Sequence, residues 1–313
     1  MKELLKDNTA GDPVSGVKWT NRSLRKLQKA LRKQGFHLAL NTIARLLRQQ
    51  GYSLRTNRKR RAGTHERDRD RQFRYIARMR QLYQTLKFPV ISVDAKKKEL
   101  VGNFKNPGRR WRRKPQDVLD HDFPSWAIGK AIPYGIYDFA HNDGYVVIGT
   151  SHETATFAVA AIRRWWIAVG RKRHSPAKRL LIQADSGGSN GCRRWEWKLA
   201  LQHLADEFGL IITVTHYPSG ASKWNPIDHR MFSLISGNWA GEPLTSYELI
   251  LKYIRATRSE TGFQCRASLD HKDYSTKVKV TPAQKATIRL KPHRVLPRWN
   301  YTILPHQHRH ESQ

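Results

Sequence analysis

Three aspartates in this chain could do metal chemistry. Asp94 closes the apolar run Phe88-Pro89-Val90-Ile91-Ser92-Val93, and Asp185 closes Leu180-Leu181-Ile182-Gln183-Ala184. Asp228 lies in Lys223-Trp224-Asn225-Pro226-Ile227-Asp228-His229-Arg230. The spacings are 91 and 43 residues. Carboxylates gathered at the ends of core elements repel one another unless a cation lies between them, and an oxygen-only donor set selects Mg²⁺ or Mn²⁺. Two such ions about 3.5–4 Å apart would activate water and stabilise the leaving oxygen of an in-line phosphoryl displacement. Each acid also has an ordinary reading. Asp185 precedes Gly187-Gly188 and suits a turn, Asp94 could pair with Lys96, Lys97 or Lys98, and Asp228 could serve a helix start.

The elements that must position these acids follow in order from residue 88. A strand ending at Asp94 has its hairpin partner at 98–104. Next comes a basic loop, 105–114, containing Trp111, which suits a stacked base, backbone contacts or a mobile loop. A second hairpin, 132–138 with 145–150, turns at His141-Asn142-Asp143-Gly144. Thr154 can cap a helix over 155–170. Then come the strand ending at Asp185, a helix over 192–208, a strand over 210–216 and a helix from about Pro226. Antiparallel hairpins followed by βαβ units predict an α/β fold, a mixed sheet with helices on both faces. Residues 240–313 add a helix over 246–261 and a basic, strand-like Lys277-Val278-Lys279-Val280. The tail Gln307-His308-Arg309-His310 is read as a polar terminus rather than a metal site.

The N-terminal part is of another kind. Ser23 can cap a helix with Leu24, Leu27, Ala30 and Leu31 on one face, ended by Gly35. Asn41 can cap a second, in which Ile43, Ala44, Leu46 and Leu47 are buried. Arg45, Arg48, Gln49 and Gln50 then face outward and Gly51 stops the helix. This reads as a small all-α helix-turn-helix or, equally by periodicity, a plain helical hairpin; the chain's charge favours DNA binding by Arg45 and Arg48. The charged stretch 57–71, with Arg58, Lys59, Arg60 and Arg61, could track a phosphate backbone or enter a minor groove, or be a solvated linker. Phe73, Ile76, Met79, Leu82 and Tyr83 mark a connecting helix. The expected divisions are 1–62, 63–87, 88–262 for the catalytic part, and a basic C-terminal extension over 263–313.

Composition narrows the partners. With 58 Lys+Arg against 25 Asp+Glu in 313 residues, the formal net charge is +33, which points to a polyanion bound with salt-sensitive affinity. No apolar run is long enough for a transmembrane helix, and the first residues lack a signal's apolar segment. Two cysteines, Cys192 and Cys265, build neither a disulfide framework nor a CxxC zinc site. An intracellular protein is expected.

Three long segments carry a resemblance: Val93-Asp94-Ala95-Lys96-Lys97-Lys98-Glu99-Leu100-Val101-Gly102, Ala184-Asp185-Ser186-Gly187-Gly188-Ser189-Asn190-Gly191, and His216-Tyr217-Pro218-Ser219-Gly220-Ala221-Ser222-Lys223-Trp224-Asn225-Pro226-Ile227-Asp228-His229-Arg230. His152-Glu153-Thr154-Ala155, Trp165-Trp166, Asn238-Trp239 and Trp299-Asn300-Tyr301 extend it. Together they resemble bacterial insertion-sequence DDE transposases of the ISAzo-thirteen type, related to the Tc1/mariner-like superfamily. The resemblance implies an RNase H-like catalytic core, dependence on Mg²⁺ with Mn²⁺ as substitute, and cleavage and joining of transposon ends. By position Asp94 and Asp185 match the family's first two acids, sharing one ion, while Asp228 stands where the family usually has Glu and would complete the second. Family members carry an extra N-terminal DNA-binding segment, so this chain is expected to be a truncated copy.

The expected partners are double-stranded DNA, both terminal repeats and target, and a second copy of the chain to synapse two ends, in the nucleoid of the cytoplasm. Lys223, Trp224 and Asn225 either position the end DNA or, for Trp224, lid the core. His216 and His229 are read as satisfied polar residues. The alternatives are an inactive, transposase-derived DNA-binding protein and a structure-specific RNase H-like nuclease.

Overall fold

The computed structural model describes residues 9–11, 18–20, 23–53, 67–221 and 224–306. The chain forms two compact units, Met1–Arg61 and Ala62–Gln313.

In the first unit, β1 (Thr9–Gly11) pairs antiparallel with β2 (Lys18–Thr20). The region expected to be all-helical thus also carries a short ribbon. Helices α1 (Leu24–Lys33) and α2 (Leu40–Gln49) follow. The Ser23 hydroxyl accepts from the Lys26 amide at 3.3 Å and starts α1. Asn41, expected to cap α2, lies inside its first turn; the cap position is Ala39, which has no side-chain acceptor. Leu27, Leu31 and Ile43 form the buried centre, flanked by Leu24, Leu38, Leu47 and Tyr52. Gly35 and Gly51 both adopt φ of +83°, the left-handed conformation that ends a helix cheaply only at glycine.

The second unit opens with α3 (Arg69–Thr85), then β3 (Val90–Ala95), β4 (Glu99–Val101), β5 (Gly129–Asp138) and β6 (Asp143–Gly149). Helix α4 (Ala155–Trp165) continues through a wide π turn, Trp166–Gly170, to Arg173. Next come β7 (Arg179–Ala184), α5 (Trp195–Phe208) and β8 (Ile211–His216). A second π turn, Asp228–Phe232, leads into α6 (Ser233–Asn238), followed by α7 (Tyr247–Ala256) and β9 (Gln264–Asp270). Last are α8 (Pro282–Ala286), β10 (Leu290–Pro292) and β11 (Asn300–Ile303).

The nine strands form one sheet in the order β10-β11-β8-β7-β3-β5-β6-β9, with β4 beside β5. At its centre β3, β5 and β6 are antiparallel, while β7 and β8 run parallel to β3. This is the RNase H-like mixed sheet the resemblance implied. Helices α4 and α5 bury Phe157, Ile162, Trp165, Trp197 and Leu201 against one set of strand side chains. On the other set lie Met231, Phe232, Ile250 and Ile254, with Tyr83 of α3 over Val90 and Leu181. Burying a Leu, Ile or Phe side chain contributes about 1.5–3 kcal/mol, so these two layers hold the sheet rigid under the acids.

The segment from 263 on is not an appended extension. It supplies β9 beside β6, and β11 beside β8. Cys265 and Ala267 point inward from β9 while Gln264 and Arg266 stay exposed, so the charge is on the solvent side of an ordinary half-buried strand. Lys277-Val278-Lys279-Val280, in contrast, forms no strand, and Val278 is exposed.

Candidate active site

Val93 lies opposite Ala184 in the parallel β3–β7 pair, so the next residues, Asp94 and Asp185, leave the carboxyl ends of neighbouring strands side by side. Open α/β sheets place their ligands there. Each carboxylate is pinned by the amide that follows it: Ala95 N–H donates to Asp94 Oδ1 and Ser186 N–H to Asp185 Oδ1, both at 2.8 Å. Both acids line one open cleft with Lys96, Lys97, Lys98, Glu153 and Gly187. Asp228 faces an adjoining cleft that shares Ala95, Lys96 and Lys97.

The cleft is electrostatically loaded. Burial, then the charge of Asp185, pushes the Asp94 carboxyl up to about 8 against the pull of the Ala95 amide, and Asp228 and Glu153 add to the rise. Burial raises Asp185 too. It also raises Asp228, where His229 pulls down and Asp185 pushes up. The neighbouring lysines do not relieve Asp94: Lys96 pairs with Glu99 at 2.9 Å and Lys98 with Glu153 at 3.1 Å. Mutually repelling carboxylate oxygens, with the Lys96 and Lys98 ammonium groups engaged elsewhere, are a donor set that hard divalent cations fit.

Buried residues hold these acids in place. His216, fully buried at the end of β8, donates from Nδ1 to the Asp185 carbonyl at 2.9 Å. Its Nε2 therefore accepts from the Tyr301 hydroxyl at 3.1 Å, which in turn accepts from Trp197 Nε1 at 2.9 Å. Burial lowers the His216 pKa to about 4 and keeps the ring neutral. Both ring nitrogens are satisfied, as its polar reading anticipated. On the other side, Ser92 Oγ donates to Asn225 Oδ1 at 2.5 Å, and the Asp228 amide donates to the Asn225 carbonyl at 3.1 Å. Ser92 precedes Asp94 by two residues on β3, so this pair ties the first acid's strand to the turn that carries the third. That turn is a π turn, a geometry frequent at functional sites.

Asn225, expected to touch DNA, does not: it is 0% exposed, its oxygen committed to Ser92. Asn225→Ala should leave DNA affinity unchanged and lower stability by about 1–3 kcal/mol in urea unfolding, because the Ser92 hydroxyl loses its acceptor. Trp224 is half-exposed and is no lid over the core. It packs at 5.9 Å from the Phe73 ring with the Arg69 guanidinium 4.7 Å above it. Arg45 and Arg48 are exposed on α2. Arg58, Lys59, Arg60, Arg61, Lys223 and the 307–310 tail lie outside the described residues. His229 is exposed beside Asp228. Glu153 is the site residue that reasoning from single motifs missed as a carboxylate of the cleft; its one signal was an acid between a strand end and the Thr154 cap of α4.

An RNase H-like sheet that delivers carboxylates to the ends of its central strands is a scaffold for metal-dependent, nuclease-type enzymes. Residues 1–305 match the family described as Rhodopirellula transposase DDE domain, and the chain belongs to that family. Among solved structures it is similar to the Mos1 transposase paired-end complex with left transposon end, with a TM-score of 0.47 and 16% identity over 80% of this chain and 68% of that one. The Mos1 mariner paired-end complex with Mn gives 0.44 and 15% over 80% and 68%. The Mos1 strand transfer complex gives 0.46 and 16% over 80% and 67%. The transposon ends and the manganese are those of the Mos1 complexes. No curated protein matches the sequence. Among the described residues no helix is long and apolar enough to cross a membrane.

Proposed function

We propose that this chain is a DNA transposase that cleaves transposon ends and joins them to target DNA by divalent-metal-dependent phosphodiester hydrolysis and strand transfer. The observation that carries the reading is the register that sets Asp94 beside Asp185 at the parallel β3–β7 strand ends, in a cleft whose acids burial and mutual repulsion have raised. Asp94 and Asp185 would hold one Mg²⁺ or Mn²⁺, and Asp228, from its adjoining cleft, the second. Such ions supply Lewis acidity, activating water and stabilising the leaving oxygen. The chain's own groups do the positioning. His216 fixes the Asp185 backbone, the Ser92–Asn225 pair fixes the Asp228 turn, and the exposed Lys97 at the cleft rim attracts the phosphate backbone. No covalent protein–DNA intermediate is required. Two ends must be brought together, so the working unit is a homodimer acting on nucleoid DNA.

The test is purified protein with Mn²⁺ and a labelled duplex of the element's own terminal repeat. Nicking at the end supports the enzyme. A stable shift without cleavage supports the binding-only reading, and cutting of branched DNA regardless of sequence supports a structure-specific nuclease.

DNA binding by the first unit is separately measurable. Arg45 and Arg48 lie three residues apart on the exposed side of α2, within reach of one backbone. Arg45→Ala combined with Arg48→Ala should weaken binding. It should also flatten the slope of log affinity against log salt by about 1.8, roughly 0.9 for each phosphate that is no longer neutralised. Fluorescence anisotropy across a salt series reads both.

A further inference from the structure

Asp138, His141 and His174 form a second cluster, remote from the acids. Asp138 is the last residue of β5 and pairs with Ile91, at the opposite end of β3 from Asp94. The three residue steps along β3 from Ile91 to Asp94 span about 10 Å. His141 Nδ1 stands 2.8 Å and His174 Nε2 2.7 Å from the same Asp138 Oδ2, and the two rings meet edge to face at 4.9 Å. The Ala140 amide holds the other carboxylate oxygen at 3.0 Å. Among the described residues this is the one group of three His, Cys, Asp or Glu ligand atoms that all lie within 4.8 Å of one another.

We propose that this cluster is a binding site for a transition-metal dication of the Zn²⁺ class, distinct from the Mg²⁺-type site of the acids. Two imidazole nitrogens and one carboxylate oxygen are the donor set that suits such an ion, whereas the oxygen-only cleft suits hard cations. Three protein ligands leave a fourth position for water. Asp138 and His174 are buried, with side chains 1% and 6% exposed, while the His141 side chain at 37% opens the site to solvent. Bonds of about 2.0–2.1 Å in tetrahedral geometry set the donor atoms about 3.3 Å apart. The ligands must therefore spread by roughly 0.5 Å, a movement the half-exposed ring on the hairpin turn can make. His174 ends the helical run 155–173, where the negative end of the helix dipole favours a cation. The guanidinium groups of Arg173, next to His174, and of Arg266 are both engaged by Asp143. A bound ion would lock the β5–β6 hairpin to the end of α4. Each imidazole carries its proton on the other ring nitrogen when ligated, so a neutral ring binds without proton release.

The test uses the full chain carrying Asp94→Asn and Asp185→Asn, so that the acidic cleft does not take up the probe. Titration with Co²⁺ alone is expected to give one ion per chain, with the intense visible bands of low-coordinate, histidine-ligated cobalt, and Zn²⁺ is expected to displace it. Adding His141→Ala or His174→Ala should weaken binding at least about 100-fold, with near-UV circular dichroism confirming the fold. His141, being half-exposed, is the variant that keeps the fold intact. No Co²⁺ uptake, or uptake that survives both histidine variants through the polar tail or elsewhere, overturns the proposal. Neither outcome depends on whether the chain cleaves DNA.

Discussion

Asp185→Asn is expected to reduce cleavage of the terminal-repeat duplex by at least about 1,000-fold, some 4 kcal/mol of transition-state stabilisation, while affinity for the same duplex stays within twofold. Asparagine keeps the size of the side chain and an Oδ1 that can still accept from the Ser186 amide, so the turn after β7 survives. The carbonyl that His216 holds is backbone and is untouched. What disappears is the negative charge that a divalent ion needs at the centre of the cleft. Gel-shift and nicking assays on the same preparation measure the two quantities together. Retained cleavage would remove Asp185 from the chemistry and, with it, the proposed site. Loss of binding in parallel with cleavage would mean that the substitution acts through the fold.

Asp94 and Asp185 were legible because of how they punctuate the chain: a short apolar run, an acid, then glycines or lysines. What could not be read was adjacency. Asp94 and Asp185 become neighbours only through the parallel β3–β7 register, a pairing across 91 residues that no local pattern encodes. The same limit hid Asn225. Placed between Trp224 and Pro226 it reads as a loop residue, and its burial arises only because Ser92 arrives from β3. The C-terminal strands were obscured differently. Arg266 and Lys291 break the apolar runs of β9 and β10, and the inward alternation of Cys265 and Ala267 shows only once β6 is known to lie beside them. Lysines after Asp94 suggested a simple ion pair, yet Glu99 and Glu153 claim Lys96 and Lys98. Glu153 thereby has two effects in the cleft, raising Asp94 by its charge and occupying a lysine that could have lowered it.

That arrangement makes the metal-free protein strained in a way that titrates. In the folded chain Asp94 takes up its proton near pH 8, driven first by burial and then by Asp185, whereas in the unfolded chain it does so near the ordinary aspartate value of 3.8. Between these limits the folded state holds a proton that the unfolded state has released. Stability therefore falls as pH rises from about 4 to about 8 and levels off beyond. Asp94→Asn cannot ionise and escapes this loss. In EDTA the variant should match the wild type near pH 4 and exceed it by about 2–4 kcal/mol at pH 8.5, a figure held below the full conversion of the shift because the cleft is open to solvent. Urea unfolding at the two pH values measures the difference. Millimolar Mg²⁺ at pH 8.5 should then restore the wild type by mass action and leave the variant where it was. A variant less stable than the wild type at both pH values would show that Asp94 is compensated within the fold, and that the cleft has no unmet demand for a cation.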